Sequence, residues 1–409
     1  MQPGAIGRPL LMGTQATVQP ALTLDFTGAT LPSLSFVRGS TATFIGSTGL
    51  IQAAAAGVPR QNRDPQTLTC KGLLIERQAT NLITSSSSPP VGVFNNVGTP
   101  GATTGPDGVA GSAWVFPSSQ TGFMQSNYSV SGLPSVCTFS VFAKKTGVGA
   151  RVYLGLTQVT TAYVAVGGYY DFASDSFVNC PAGCYSVPHA NGWRRLIYPV
   201  SGVTSGASSF VWRLDAGGTY GGDMRGIAFW GAQLEAGADA TSIIPTAGST
   251  QTRAADVASV SVSGLSLATG AVSIGLRANT AATEASNRCG LALTGATSSI
   301  YALNWYRTAV TGGEDGPYLP SAAKAGLPAI TDTALHKVAM SWDCSAGWGG
   351  VSADGAAASV GTQAAVTPLA LTTLYLGADR SASAGNMTIA SVAVYSRRLP
   401  VSVLQRMTR

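Results

Sequence analysis

Charged side chains are scarce in this sequence: Asp, Glu, Lys and Arg supply only 10% of its 409 residues. That scarcity argues against a helical fold, because long helices need Glu, Lys, Arg and Leu at 3.6-residue spacing, and no such window extends beyond the final dozen residues. Long apolar runs are missing too. No stretch approaches the ~18 consecutive apolar residues of a membrane span, and residues 1–20 lack a basic start followed by an apolar core, so neither membrane insertion nor Sec-dependent export is expected. Metal ligands are few. The six cysteines are Cys70, Cys137, Cys180, Cys184, Cys289 and Cys344, and only Cys180 and Cys184 lie close together. His189 and His336 cannot complete a second ligand pair, so no zinc site is expected. A disulfide closing the 180–184 loop stays open as an alternative, and the other four cysteines read as small buried hydrophobes of a protein made in a reducing cytoplasm.

The shortage of acids bears on catalysis. Eighteen carboxylates leave few candidates for the paired acids of a glycosidase, and Glu314-Asp315 sits in a Gly-flanked loop where solvated turn formers are common. No Gly-x-Ser-x-Gly elbow, phosphate-cradling loop or His-Glu-x-x-His occurs, so no enzyme is expected. His189 and His336 have no partner visible in the sequence and read as structural. The 24 basic residues give a net charge of +6 but are scattered singly or in pairs such as Lys144-Lys145, Arg194-Arg195 and Arg397-Arg398, which argues against nucleic-acid binding.

What the chain does have is 50 glycines, abundant Ser and Thr, and short alternating apolar runs, the pattern of an all-β protein rich in turns. Its length suits two to three domains. Residues 1–20, rich in Gly, Pro, Gln and Thr, read as an extended arm, and 21–88 as a small β-leader ending in a Ser-Ser-Ser-Ser-Pro-Pro break. Strand candidates at 113–116, 136–144, 151–156, 162–171, 193–200, 210–214 and 225–234 predict a β-sandwich over 89–247. Within it Phe139, Val141 and Ala143 alternate with Thr138, Ser140 and Phe142, giving one apolar and one mixed face. Residues 248–258 read as a linker. A second sandwich follows over 259–409, ending in a short helix at 400–407 opened by Pro400.

Two motifs carry a family resemblance. Residues 34–81 contain Ser-Phe-Val-Arg-Gly-Ser-Thr-Ala-Thr, then Gly-Leu-Ile, Pro-Arg, Gly-Leu-Leu-Ile-Glu and Thr-Asn-Leu, while 230–256 read Trp-Gly-Ala-Gln-Leu-Glu, then Ser-Ile-Ile-Pro-Thr and Thr-Arg-Ala-Ala-Asp. Found in this order about 150 residues apart, they resemble the leader and closing segment of carbohydrate-binding-like jelly rolls in tailed-phage virion proteins. The 191–195 Asn-Gly-Trp-Arg-Arg corner matches a hallmark of that family. Downstream, the Trp342 strand, the Asp354-Gly355 hairpin, Leu374-Tyr-Leu-Gly377 and the final 389–399 segment resemble the concanavalin A-like or laminin G-like jelly roll.

The resemblance implies a fold of two jelly-roll modules and a virion-surface role as a fibre, spike or minor tail protein, made in the host bacterial cytoplasm and released by lysis. It implies non-catalytic adhesion to host-surface polysaccharide, an N-terminal arm docked on other virion proteins, and a homo-oligomer, with a trimer favoured. Two other readings stay open: a purely architectural head-decoration or tail-scaffold protein, and a capsule depolymerase whose acids assemble between subunits. Jelly rolls often hold calcium through loop oxygens, to which Asp171 and Asp175 could contribute, although no Asp-x-Asp-x-Asp-Gly pattern is present. Sugars stack their C–H faces on aromatic rings. Trp114, Trp193, Trp212, Trp230 and Trp342 fall in strands and read as core, which leaves Tyr220, Tyr301, Trp305, Tyr306, Tyr318 and Trp348 as the glycan-contact candidates.

Overall fold

The computed structural model describes residues 18–86, 99–116, 133–159, 163–202, 210–213, 225–279, 288–295, 300–305, 332–365, 367–368, 370–378 and 385–409. The protein is all-β. The arm expected at 1–20 lies outside the described residues up to residue 17.

The first sandwich pairs a six-stranded with a four-stranded antiparallel sheet. The larger runs in the order Tyr185–Pro188, Arg194–Ser201, Val136–Lys145, Ile227–Ala236, Ala113–Val115 and Thr99–Thr103, and the smaller Ser176–Val178, Tyr163–Asp171, Arg151–Val159 and Phe210–Arg213. Phe139, Val141 and Ala143 enter the core between the sheets with Trp114, Phe229 and Leu234, against Val152, Leu154 and Tyr170 of the smaller sheet. Trp114 stacks on Phe229 at 4.8 Å between ring centroids. The mixed face is also buried. Phe142 turns away from that core into a second apolar cluster with Trp193, Trp230, Ile51 and Ile243. A bulge makes this two-sided burial compatible with one strand: the register against Val136–Lys145 shifts between Ser140 and Phe142, opposite Gly231. Gly231 has φ +62°, a left-handed backbone that glycine adopts without steric cost, and it lets Trp230 and Ala232 serve different clusters.

The second sandwich pairs an eight-stranded with a five-stranded sheet. The larger is ordered Ser359–Thr362, Trp348–Ala353, His336–Asp343, Thr269–Ala278, Met387–Tyr395, Cys70–Ile75 and Arg60–Arg63, with Leu22–Asp25 also pairing on Met387–Tyr395. The smaller is ordered Ser35–Val37, Val257–Ser261, Leu371–Leu376, Arg288–Gly295 and Ile300–Trp305. Trp342 is buried between them, its indole N–H donating to the Leu267 carbonyl at 2.9 Å. On the outer face of the larger sheet the helix Val401–Met407, preceded by Pro400 at the N-cap, buries Leu404 against Ala271, Ala339 and Tyr395.

The leader is therefore shared out rather than standing alone. Leu22–Asp25, Arg60–Arg63 and Cys70–Ile75 complete the large sheet of the second sandwich, and Leu24, Phe26, Leu73 and Ile75 belong to its core. Strands of three to six residues cannot enclose a core by themselves, so they add to one that exists. The approach is close: Gly72 has φ +121°, and a Cβ there would lie 2.1 Å from the Ile389 carbonyl oxygen. The hairpin Ala42–Ile45 and Ile51–Ala54 goes to the first sandwich instead, where Ile45 and Ile51 cover Phe142, Trp193 and Trp230. The stretch 248–258, expected as a linker, holds the strand Gln251–Arg253 paired to Ala79–Asn81 and the start of Val257–Ser261.

Candidate functional site

The two motif segments meet. Asp256 binds Arg38 at 3.2 Å and Arg60 at 2.5 Å, and Glu76 binds Arg60 at 2.6 Å and also Arg253, every one of these side chains being almost wholly buried. The Glu76 N–H donates to the Asp256 carboxylate at 2.8 Å, and the Ser242 N–H and Oγ donate to Glu76 at 2.5 and 2.6 Å. Burial alone would raise the Glu76 carboxyl, but Arg253 and Arg60, helped by Ser242, outweigh it and hold the group well below the usual carboxylate range. Nearby, the Asn81 amide donates to the carbonyls of Ala232 and Ile244 and accepts from the N–H groups of Ile83 and Leu234. Gln233 donates to Glu235 at 2.6 Å and accepts from the Ile244 N–H at 2.6 Å. These polar residues join the leader to the end of the first sandwich and the start of the second.

Beside this junction lies a cavity of about 400 Å³. Its walls come from the hairpin at 43–51, the strand segments around Asn62 to Lys71 and Tyr185 to Ile197, the turn 240–243, and Arg277, Asn279 and Asn386 of the second sandwich. It reaches solvent at the exposed Thr333. The corner that the sequence marked as Asn-Gly-Trp builds one wall: a 3₁₀ turn at Ala190–Gly192, with Asn191 at φ +60° and Gly192 at φ +76°, places His189 before it and Arg195 after it. His189 packs edge-on against Phe142 at 4.9 Å between ring centroids. Burial, reinforced by Arg195, pushes its imidazole down to about 3, so it is neutral at ordinary pH. The Arg195 guanidinium donates to Ser140 Oγ at 2.9 Å and lies 5.5 Å from the Phe142 ring centroid. Two carboxylates line the cavity. Asp64 is bound by Lys71 at 3.0 Å and by the N–H groups of Gln66 and Thr67; burial works against ionisation, but these donors win and bring it to about 2. The other is Glu76.

The aromatic candidates fare unevenly. Tyr220, Tyr306 and Tyr318 lie outside the described residues, as do the side chains of Tyr301 and Trp305, whose backbones form the edge strand Ile300–Trp305. Trp348 is half-buried, and the Arg398 guanidinium sits 3.7 Å from its ring centroid, already occupying one face. Trp348 does not line the cavity. Trp114, Trp193, Trp230 and Trp342 are buried as expected, and the Trp212 side chain lies outside the described residues. Asp171 and Asp175, considered as calcium ligands, bind arginines: Arg151 holds Asp171 at 2.8 Å, and Arg194 holds Asp175, which also accepts from the Tyr170 hydroxyl. Cys180 and Cys184 are separate thiols hydrogen-bonded to each other. His336, for which the sequence showed no partner, lies between Asp354 at 2.8 Å and Asp332 at 2.9 Å.

Sequence reasoning missed the cavity. Two of its three arginines, Arg195 and Arg277, stand in plain sight in the Gly-Trp-Arg-Arg corner and the apolar strand Thr269–Ala278, where a charge amid apolar neighbours was the available signal.

No protein-family model matches the chain, and no curated protein matches it. Among solved structures, it is similar to the CBM40 module of the Ruminococcus gnavus IT-sialidase bound to α2,3-sialyllactose, at 15% identity and a TM-score of 0.27 over 36% of this chain and 84% of that one. The same module bound to α2,6-sialyllactose gives 16% identity and 0.26 over 36% and 86%. Domains LG4-5 of the mouse laminin α1 chain give 14% identity and 0.22 over 76% and 96%. Values this low assign neither a ligand nor a family.

Proposed function

We propose that this chain is a virion-surface fibre, spike or minor tail protein of a tailed phage or phage-derived particle, and that it adheres to host-surface glycan without cleaving it. The cavity beside the junction carries the adhesive part of the reading. At about 400 Å³ it falls within the range of small-ligand sites and has room for a sugar. It sets apolar groups such as Ile45, Ile51 and Phe142 against the amides of Asn62, Asn279 and Asn386 and the hydroxyls of Tyr185 and Ser186, the mixture a sugar's C–H faces and hydroxyls require. The virion assignment rests on the two sequence motifs, whose arginines and carboxylates converge in one buried junction.

The state of the lining carboxylates supports adhesion rather than hydrolysis. Glycoside cleavage needs one carboxyl protonated and its pKa raised, whereas Asp64 and Glu76 are both lowered and held by Lys71, Arg60 and Arg253. Weak contacts at single sites would be amplified by display in several copies, consistent with a trimer docked on the particle through its N-terminal arm.

Incubating the full-length chain with purified host polysaccharides tests this reading, with binding and new reducing ends measured on the same samples. Binding without new reducing ends is expected. Absence of binding to every polysaccharide would favour the architectural role, and new reducing ends would favour a depolymerase.

A further inference from the structure

We infer that the cavity takes an acidic sugar residue, its carboxylate held by Arg195 and Arg277; this rests on the glycan-binding reading of the same cavity. The argument is one of charge left over. In the junction each arginine has a carboxylate: Arg38 has Asp256, Arg60 has Asp256 and Glu76, and Arg253 has Glu76. Lys71, in the cavity wall, has Asp64. Arg63, Arg195 and Arg277 also line the cavity, and among the described residues no carboxylate lies within ion-pairing distance of any of them; Arg63 donates instead to the Leu68 carbonyl at 3.1 Å, which leaves Arg195 and Arg277. Glu235 and Glu76 act on Arg195 only from farther away: the oxygens of Glu235 are taken by Thr241 Oγ at 2.5 Å, the Thr241 N–H at 2.9 Å and Gln233 at 2.6 Å, and those of Glu76 by Arg60, Arg253 and Ser242.

Hydrogen bonding points the same way. The Nε of Arg195, the Nε of Arg277 and Nδ1 of His189 are shielded from solvent and have no hydrogen-bond partner among the described residues. His189 is only 7% exposed. Arg60 and Arg253 also leave Nε unpaired, but their charges are compensated by carboxylates. An arginine set in a low-dielectric wall without a counter-charge favours an anionic guest, and a planar carboxylate matches the guanidinium fork. The amides and apolar groups of the same walls suit the rest of a sugar ring, which a bare inorganic anion would leave unused.

The experiment titrates the full-length protein with D-glucuronate and D-galacturonate, with their neutral counterparts D-glucose and D-galactose, and with inorganic phosphate, following saturation-transfer NMR and Kd. The uronates should bind at least tenfold more tightly than the neutral sugars. Losing a charged hydrogen bond at Arg277→Gln should weaken uronate binding by roughly 10- to 100-fold. Arg277 is half-buried, so this variant should keep the parental unfolding curve, whereas Arg195→Gln could also disturb the fold. Equal binding of uronates and neutral sugars would overturn the inference while leaving the glycan reading intact. Phosphate binding as tight as the uronates would reduce the cavity to a general anion site and also overturn it. Failure of every sugar to bind would overturn both.

Discussion

Replacing Glu76 by Gln should destabilise the protein more than almost any other single isosteric change. In the native chain one carboxylate accepts from Arg60, Arg253, the Ser242 N–H and Ser242 Oγ, and it offsets part of the charge of two guanidinium groups that have no access to water. A glutamine keeps the shape but presents an amide N–H₂ to donors, and it leaves Arg60 with Asp256 alone and Arg253 with no paired carboxylate among the described residues. Removing one partner of a buried pair costs about 3–5 kcal/mol, because the charge left behind is uncompensated. Against a total stability of about 5–15 kcal/mol that is a large fraction. With a urea slope near ~3 kcal/mol per molar, the unfolding midpoint should fall by about 1 M or more. The effect also carries a pH signature. The folded Glu76 carboxyl is depressed relative to its unfolded value near ~4.3, so its stabilisation is fully present above that value and is lost as pH falls below it toward the folded pKa. The parent should therefore lose stability below about pH 4 more steeply than Glu76→Gln, and the two urea midpoints should converge in acid. A midpoint within about 0.2 M of the parent at pH 7, or parallel pH profiles, would refute the account of the junction as an electrostatic lock.

Three further outcomes are expected. Phe229→Ala empties a position of 0% exposure stacked on Trp114 and should cost about 3–5 kcal/mol in urea unfolding; a loss below about 1 kcal/mol would mean the core collapses around it. Gly72→Ala would drive a Cβ to within 2.1 Å of the Ile389 carbonyl oxygen, so soluble yield and the cooperative transition should both drop sharply, and parental unfolding would show that the leader strand is not seated where described. For His336, burial lowers the imidazole but Asp354 and Asp332 outweigh it and raise it above its ordinary value near ~6.5, so the ion pairs stabilise below that value and are lost as pH rises through the folded pKa. His336→Gln should therefore lose stability at pH 6 but not at pH 9, and an equal loss at both would rule out the charge contribution.

Much of the local structure was legible in the chain. Val136–Lys145 coincides with the strand expected at 136–144 from its alternation, Trp114, Trp193, Trp230 and Trp342 are buried as their strand positions implied, and the final helix lies where Pro400 opens it. The polar strand Gln251–Arg253 was not legible, because its place is held by pairing to Ala79–Asn81 and by the ion pair of Arg253 with Glu76, 177 residues away, and not by an apolar face. Of the aromatic candidates, Trp348 has a described side chain and stands apart from the cavity, which draws its groups from both sandwiches and the leader between them.

By itself the sequence determined the all-β character and many of the residues that had to be buried, since period-two alternation and scarce helix-forming charge act locally. Only the tertiary structure decided where each buried face went. A strand such as Cys70–Ile75 carries apolar side chains whether it closes a leader of its own or completes a sheet formed some 300 residues later, and the choice follows from which unfinished core it can fill. The same holds for charge: Arg38, Arg60, Arg253, Glu76 and Asp256 are ordinary surface residues when read along the chain, and become a buried junction with a cavity beside it once the fold brings them out of water together.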